Sequence, residues 1–121
     1  MKIYKMLIIS LMAATLTSCV QKSYERTVIF TLDVSKVKNI KTVGLRGEGK
    51  PLSWENDLAM KAIKKDSLYT VSVTAVTGYK FVDVKFVVNG EFELQNKSNR
   101  RVFFNENGIT NYDAVFNSEK K

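Results

Sequence analysis

Thr27-Val28-Ile29-Phe30-Thr31-Leu32-Asp33-Val34 is the stretch whose reading decides the fold. Val28, Phe30, Leu32 and Val34 fall on one side of an extended chain, and Thr27, Ile29, Thr31 and Asp33 on the other. A period of two in apolar, β-branched residues predicts a strand with one face on a core. The alternation returns down the chain. Val43 and Leu45 make a shorter strand, stopped by Gly47-Glu48-Gly49-Lys50-Pro51, whose glycines and proline punctuate a turn. Residues 58–63 read as a weak strand; one helical turn would fit near Met60, but the β-branched neighbourhood favours extension. Tyr69, Val71, Val73 and Ala75 share a face of the next strand, which ends near Gly78. Val82, Val84, Phe86 and Val88 run up to Asn89-Gly90, a pair suited to the tight turn between antiparallel strands. Phe92 and Leu94 follow, then a polar loop over 95–99. Val102 and Phe104 precede a loop holding Asn107-Gly108, and Tyr112, Ala114 and Phe116 close the series.

Seven or eight short strands with turns between them, and no sustained helical stripe, predict an all-β fold: an immunoglobulin-like antiparallel β-sandwich. Its expected extent is 26–117, with a frayed tail at 118–121. The chain shows no internal repeat and no low-complexity tract.

The first residues have a different character. Lys2 and Lys5 precede an apolar run, Met6 to Ala14, interrupted only by Ser10. Crossing a bilayer takes about 18 or more apolar residues, twice what this run offers, so the segment reads as a secretion signal. Leu16-Thr17-Ser18-Cys19 ends in the sole cysteine of the chain. This segment resembles a bacterial lipoprotein signal, with Leu16 and Ser18 at the apolar and small positions before the lipidated residue. The resemblance implies removal of residues 1–18 and acylation of Cys19, with residues 19–25 as lipidated start and short tether. Fully extended at about 3.5 Å per residue, that tether keeps the domain within roughly 20 Å of the lipid surface. Val20, Gln21 and Lys22 include no aspartate of the kind tied to inner-membrane retention, which by the same resemblance favours the outer membrane of a Gram-negative bacterium.

Loss of Lys2 and Lys5 lowers the formal charge from +7 to +5, leaving 103 of the 121 residues, one domain by size. The positives are spread in small groups: Lys36, Lys38 and Lys41; Lys64 and Lys65; Arg100 and Arg101. No nucleic-acid reading element accompanies them, so they read as a solvated surface with some attraction to anionic lipid headgroups.

There is no histidine in the chain, which excludes Ser-His-Asp and Cys-His catalysis and the usual zinc ligand sets. Glu91 and Glu93, two apart on a strand, would stand about 7 Å from one another, a spacing that invites comparison with a glycosidase pair. A solvated hairpin face explains them more simply. Gly44, Gly47 and Gly49 lack the following helix that a phosphate-cradling loop requires. The chain reads as a non-enzyme without cofactor or metal.

The order of landmarks resembles a known family. Val28-Ile29-Phe30-Thr31-Leu32, Val43-Gly44-Leu45-Arg46-Gly47, Pro51-Leu52-Ser53-Trp54, Ala59-Met60, Tyr69-Thr70-Val71, Val84-Lys85-Phe86-Val87 and Asn99-Arg100 follow one another as in starch-binding modules of carbohydrate-binding family 20 and their glycogen-binding relatives. It is also similar to small sandwich modules that precede hydrolase domains in exported proteins of gut-type bacteria. The first resemblance implies a sugar site of a tryptophan, a lysine and an asparagine, here Trp54, Lys85 and Asn99. It places Leu94 where the family has its second tryptophan and Gln95 where it has a glutamate. Rings stack on the apolar faces of glucose units while polar side chains orient the hydroxyls, so the loss of one ring implies weak binding. Other roles stand beside these. Trp54 could cap one end of the core, Lys85 could serve solubility, Asn99 a turn, and Arg100 its loop.

Two functions follow. One is an anchored module that captures a polysaccharide such as an α-glucan at Trp54, Lys85 and Asn99. The other is an interaction module that joins an envelope protein complex without binding sugar, favoured by an aliphatic Leu94.

Overall fold

The computed structural model describes residues 22–119. The signal segment, Cys19 and the last two lysines lie outside the described residues. Nine strands and no helix occur among those described: β1 (Tyr24–Asp33), β2 (Val43–Gly47), β3 (Leu58–Ala59), β4 (Lys61–Lys64), β5 (Leu68–Thr77), β6 (Phe81–Val88), β7 (Glu91–Phe92), β8 (Arg100–Phe103) and β9 (Thr110–Val115). They form two sheets, one ordered β4-β5-β1-β9 and one β3-β2-β6-β7, with β8 also on β6. The fold is an all-β sandwich, as the alternation predicts.

The core follows from strand parity. Val28, Phe30, Leu32 and Val34 are all buried, and they meet Val84, Phe86, Val88, Val102, Tyr112 and Ala114 between the sheets. Phe30 touches Phe86 and Tyr112 edge-on, with centroids 6.1 and 6.0 Å away. Full burial of each such side chain stabilises by about 1.5–3 kcal/mol. The Asn89-Gly90 turn is realised: both residues have positive φ, 54° and 79°, and Val88 pairs with Glu91 across it. The Asn89 carboxamide also accepts from the Lys41 and Thr42 amides and donates to the Asn39 carbonyl, so the turn holds the β1–β2 loop.

Three features depart from the reading of the sequence. The strands number nine rather than seven or eight, because β3 and β7 are two-residue pairings. The expected weak strand over 58–63 is two strands on different sheets: Leu58 pairs with Leu45, Lys61 with Thr70, and buried Met60 carries the crossing. Finally, the antiparallel rule has one exception, since β1 and β9 run parallel from Val28 opposite Thr110 to Asp33 opposite Val115. Near the C-terminus, the Ser118 carbonyl accepts from Arg100 at 2.6 Å.

Candidate functional site

Along β6, Val84, Phe86 and Val88 point into the core, which turns Phe81, Asp83, Lys85 and Val87 to the outer face. Across the ladders Lys85 lies opposite Arg46, Asp83 opposite Arg101, Phe81 opposite Phe103 and Val87 opposite Phe92. The β8 pairing ends at Val84 opposite Arg100, and Asn99 directly precedes that strand. Of the three residues expected at a sugar site, Lys85 is placed on this face by its strand.

Trp54 reaches it through the β2–β3 loop. Arg46 Nη1 donates to the Trp54 carbonyl at 2.9 Å, Arg46 Nε pairs with Asp57, and the guanidinium stands 5.0 Å from the Phe92 ring. Gly44 permits this approach, because a Cβ there would lie 2.8 Å from the Asp57 Cβ. The Trp54 indole N–H donates to Glu48 at 2.8 Å, and the residue is half-buried. It is neither a core cap nor a free ring.

Lys85 is engaged within the fold. Its Nζ donates to the carbonyls of Leu94 and Lys97, each at 3.0 Å, which uses two of three donors and clamps the turn after β7. Asn99 is exposed, and its side chain makes no hydrogen bond among the described residues. Leu94 is only 6% exposed, at a φ of 49°, and its amide donates to Asn117. The chain dives inward where the resemblance places a second ring, so no aliphatic surface exists there for a protein partner.

The carboxylate pair is also not what the spacing suggests. Glu91 is exposed, whereas Glu93 is fully buried and leaves the strand. The Glu93 carboxylate accepts from Arg100 Nε at 2.7 Å, Arg100 Nη2 at 2.8 Å, the Phe86 amide at 2.9 Å and the Asn117 amide at 3.2 Å. Arg100 Nη2 reaches the Val115 carbonyl as well. Burial by itself lowers the Arg100 pKa, but hydrogen bonds with Glu93 and Tyr112 outweigh it and raise the value, so the guanidinium stays charged. The pattern carried a signal: Arg100 alternates with core-facing Val102, which puts its side chain inside.

At the end where β6 begins, the sheets part over an apolar groove of about 400 Å³ lined by Ala75, Thr77, Tyr79, Phe81, Val82 and Phe104, with Glu48 and Lys50 on its rim. Tyr79, Phe81 and Phe103 form an aromatic run, with centroids 6.4 and 5.8 Å apart, and Arg101 stacks 3.9 Å from the Phe81 centroid while pairing with Asp83. Nothing in the alternation singled out this cluster. Among the described residues, no group of three or more acidic, histidine or cysteine side chains could hold a metal ion. No protein-family model matches the chain, and no curated protein matches it.

Proposed function

We propose that this chain is a lipid-anchored, non-catalytic β-sandwich module that binds an α-glucan or another glycan weakly, with Trp54 as its stacking platform. The observation that carries the reading is the half-buried Trp54, its indole N–H donating to Glu48 and its backbone carbonyl accepting from Arg46 beside the outer face of the five-stranded sheet. Asn99, exposed in the loop before β8, supplies a carboxamide for sugar hydroxyls. Lys85 belongs to the framework, since its ammonium clamps a turn. The buried Leu94 leaves a single ring, in keeping with weak capture rather than tight binding. A hydrolytic role has no support from Glu91 and Glu93, because one carboxylate is spent on a buried ion pair. The lipid anchor at Cys19 rests on the signal resemblance, as does placement on the outer membrane.

The test is retention of the full chain on insoluble starch and on immobilised glycogen, read beside folded-state spectra. Trp54→Ala should abolish retention and Asn99→Ala reduce it, while both variants keep wild-type circular dichroism. Failure of the wild-type chain to bind any glycan offered would end the reading. A second reading, a module that joins an envelope protein complex, draws on the exposed apolar residues around the groove. Stable co-purification with one partner, unaffected by added sugar, would select it.

A further inference from the structure

We infer that the grooved end of the sandwich docks on the lipid bilayer, with Tyr79 and Phe103 seated at the headgroup level. The inference rests on the lipid-anchor reading of Cys19 and adds an orientation to it.

The first observation is where the chain enters the fold. Tyr24 opens β1 and lies opposite Thr77 at the end of β5. A Cβ on Gly78 would stand 3.1 Å from the Lys22 carbonyl, so the N-terminal segment passes directly over the β5–β6 turn. The β8–β9 loop is at the same end, because Arg26 Nη1 donates to the Asn105 carbonyl at 3.1 Å. Cys19 precedes Tyr24 by five residues, a reach of about 17 Å when extended. An acylated Cys19 therefore keeps this end within that reach of the membrane.

The second observation is independent of the anchor. Among the described residues, six large apolar side chains are prominently exposed, and five of them, Tyr24, Val76, Tyr79, Phe103 and Ile109, crowd this one end; Ile63, on β4, is the exception. Tyr79 and Phe103 are 73% and 64% exposed, an arrangement that water penalises and that a bilayer interface rewards. The opposite end carries Lys36, Lys38, Lys41, Lys64 and Lys65 around the β1–β2 and β4–β5 connections. The domain is thus amphipathic along its strands.

Charge contributes little. Lys22, Lys50 and Lys80 make no ion pair among the described residues, and Asp83 and Glu48 are engaged by Arg101 and Trp54. Glu25 and Glu106 oppose the three lysines, so contact depends mainly on the aromatic and aliphatic side chains, and neutral lipid should suffice.

The experiment uses full-length chain processed in a bacterial host, purified in detergent and reconstituted in phosphatidylcholine vesicles with or without brominated acyl chains. A parallel set contains phosphatidylglycerol. Single-tryptophan variants combine Trp54→Phe with Tyr79→Trp, Phe103→Trp or, as control, Ile63→Trp; all three acceptor positions are exposed and tolerate the ring. Expected is at least about twofold quenching at 79 and 103 by brominated lipid, in both lipid sets, and none at 63. Protein that floats with the vesicles yet shows unquenched probes at 79 and 103 overturns the docking and leaves the anchor standing. Protein that fails to float overturns both. Probes that shift only on addition of an envelope protein fraction give this end to a protein partner and overturn the inference.

Discussion

Replacing Arg100 with methionine isolates the interaction on which the C-terminal half of the fold depends. The side-chain stem is kept, the guanidinium is lost, and Glu93 remains a fully buried carboxylate with two of its four hydrogen bonds gone. Breaking one side of a buried pair costs about 3–5 kcal/mol, since the survivor is an uncompensated charge. The hydrogen bonds from Arg100 to the Val115 and Ser118 carbonyls are lost as well. A small domain has about 5–15 kcal/mol of stability in total. In a domain of this size each kcal/mol moves the melting temperature by about 4–8 °C, so a fall of roughly 12–40 °C is expected. The double variant Glu93→Leu, Arg100→Met removes both charges and should be far less damaged than two added losses, with a residue of about 1–3 kcal/mol from the orphaned Phe86 amide. Urea denaturation followed by circular dichroism measures all three proteins. A loss below about 1 kcal/mol in Arg100→Met, or additive losses in the double variant, would refute the assignment of the pair as a structural centre.

Lys85→Met should lower stability by about 1–2 kcal/mol through release of the Leu94 and Lys97 carbonyls, and should leave any glycan retention unchanged; thermal melts and the starch pull-down read the two effects separately. Gly47→Ala forces a Cβ to 2.7 Å from the Asp83 carbonyl oxygen, which is backbone and cannot step aside, so a loss of about 1–3 kcal/mol in urea midpoint analysis is expected. The Ser35 hydroxyl and amide hold the Asp33 carboxyl below its ordinary range. A depressed folded-state pKa means a contribution that is whole above the unfolded value of about 3.9 and vanishes as pH falls through the folded value. The stability gap between wild type and Asp33→Ala should hold steady from neutral pH down to that point and narrow below it, as followed by denaturant titration at stepped pH.

The strands were legible wherever one face is buried and the other wet. β1, β5 and β6 read directly as period two because each has a core-facing row, ending in Leu32, Ala75 and Val88. Asn89-Gly90 was legible because few residue pairs accept positive φ twice in succession. The switch of sheets at Met60 was not, since two- and four-residue strands are too short for a pattern to distinguish. Nor could periodicity indicate the parallel pairing of β9 with β1, because alternation records which face is buried and is silent on the direction of the neighbour.

The candidate site divides along the same physical line. A loop tryptophan flanked by Ser53, Glu55 and Asn56 announces partial exposure through its polar neighbours, and Trp54 is half-buried. Polar side chains facing outward on strands announce nothing comparable, because a neighbouring loop that folds over the sheet can claim them. Lys85 is claimed in this way: the turn over 94–97 needs donors for its carbonyls, and a long cation opposite it supplies them. The same need draws Glu93 and Arg100 inside, where the carboxylate accepts from the Phe86 and Asn117 amides and the guanidinium donates to the Val115 and Ser118 carbonyls. Most of the charged chemistry on this side of the sandwich is thus consumed in closing loops. On the proposed reading, recognition falls to the rings, Trp54 for a glycan and Tyr79 with Phe103 for a lipid surface.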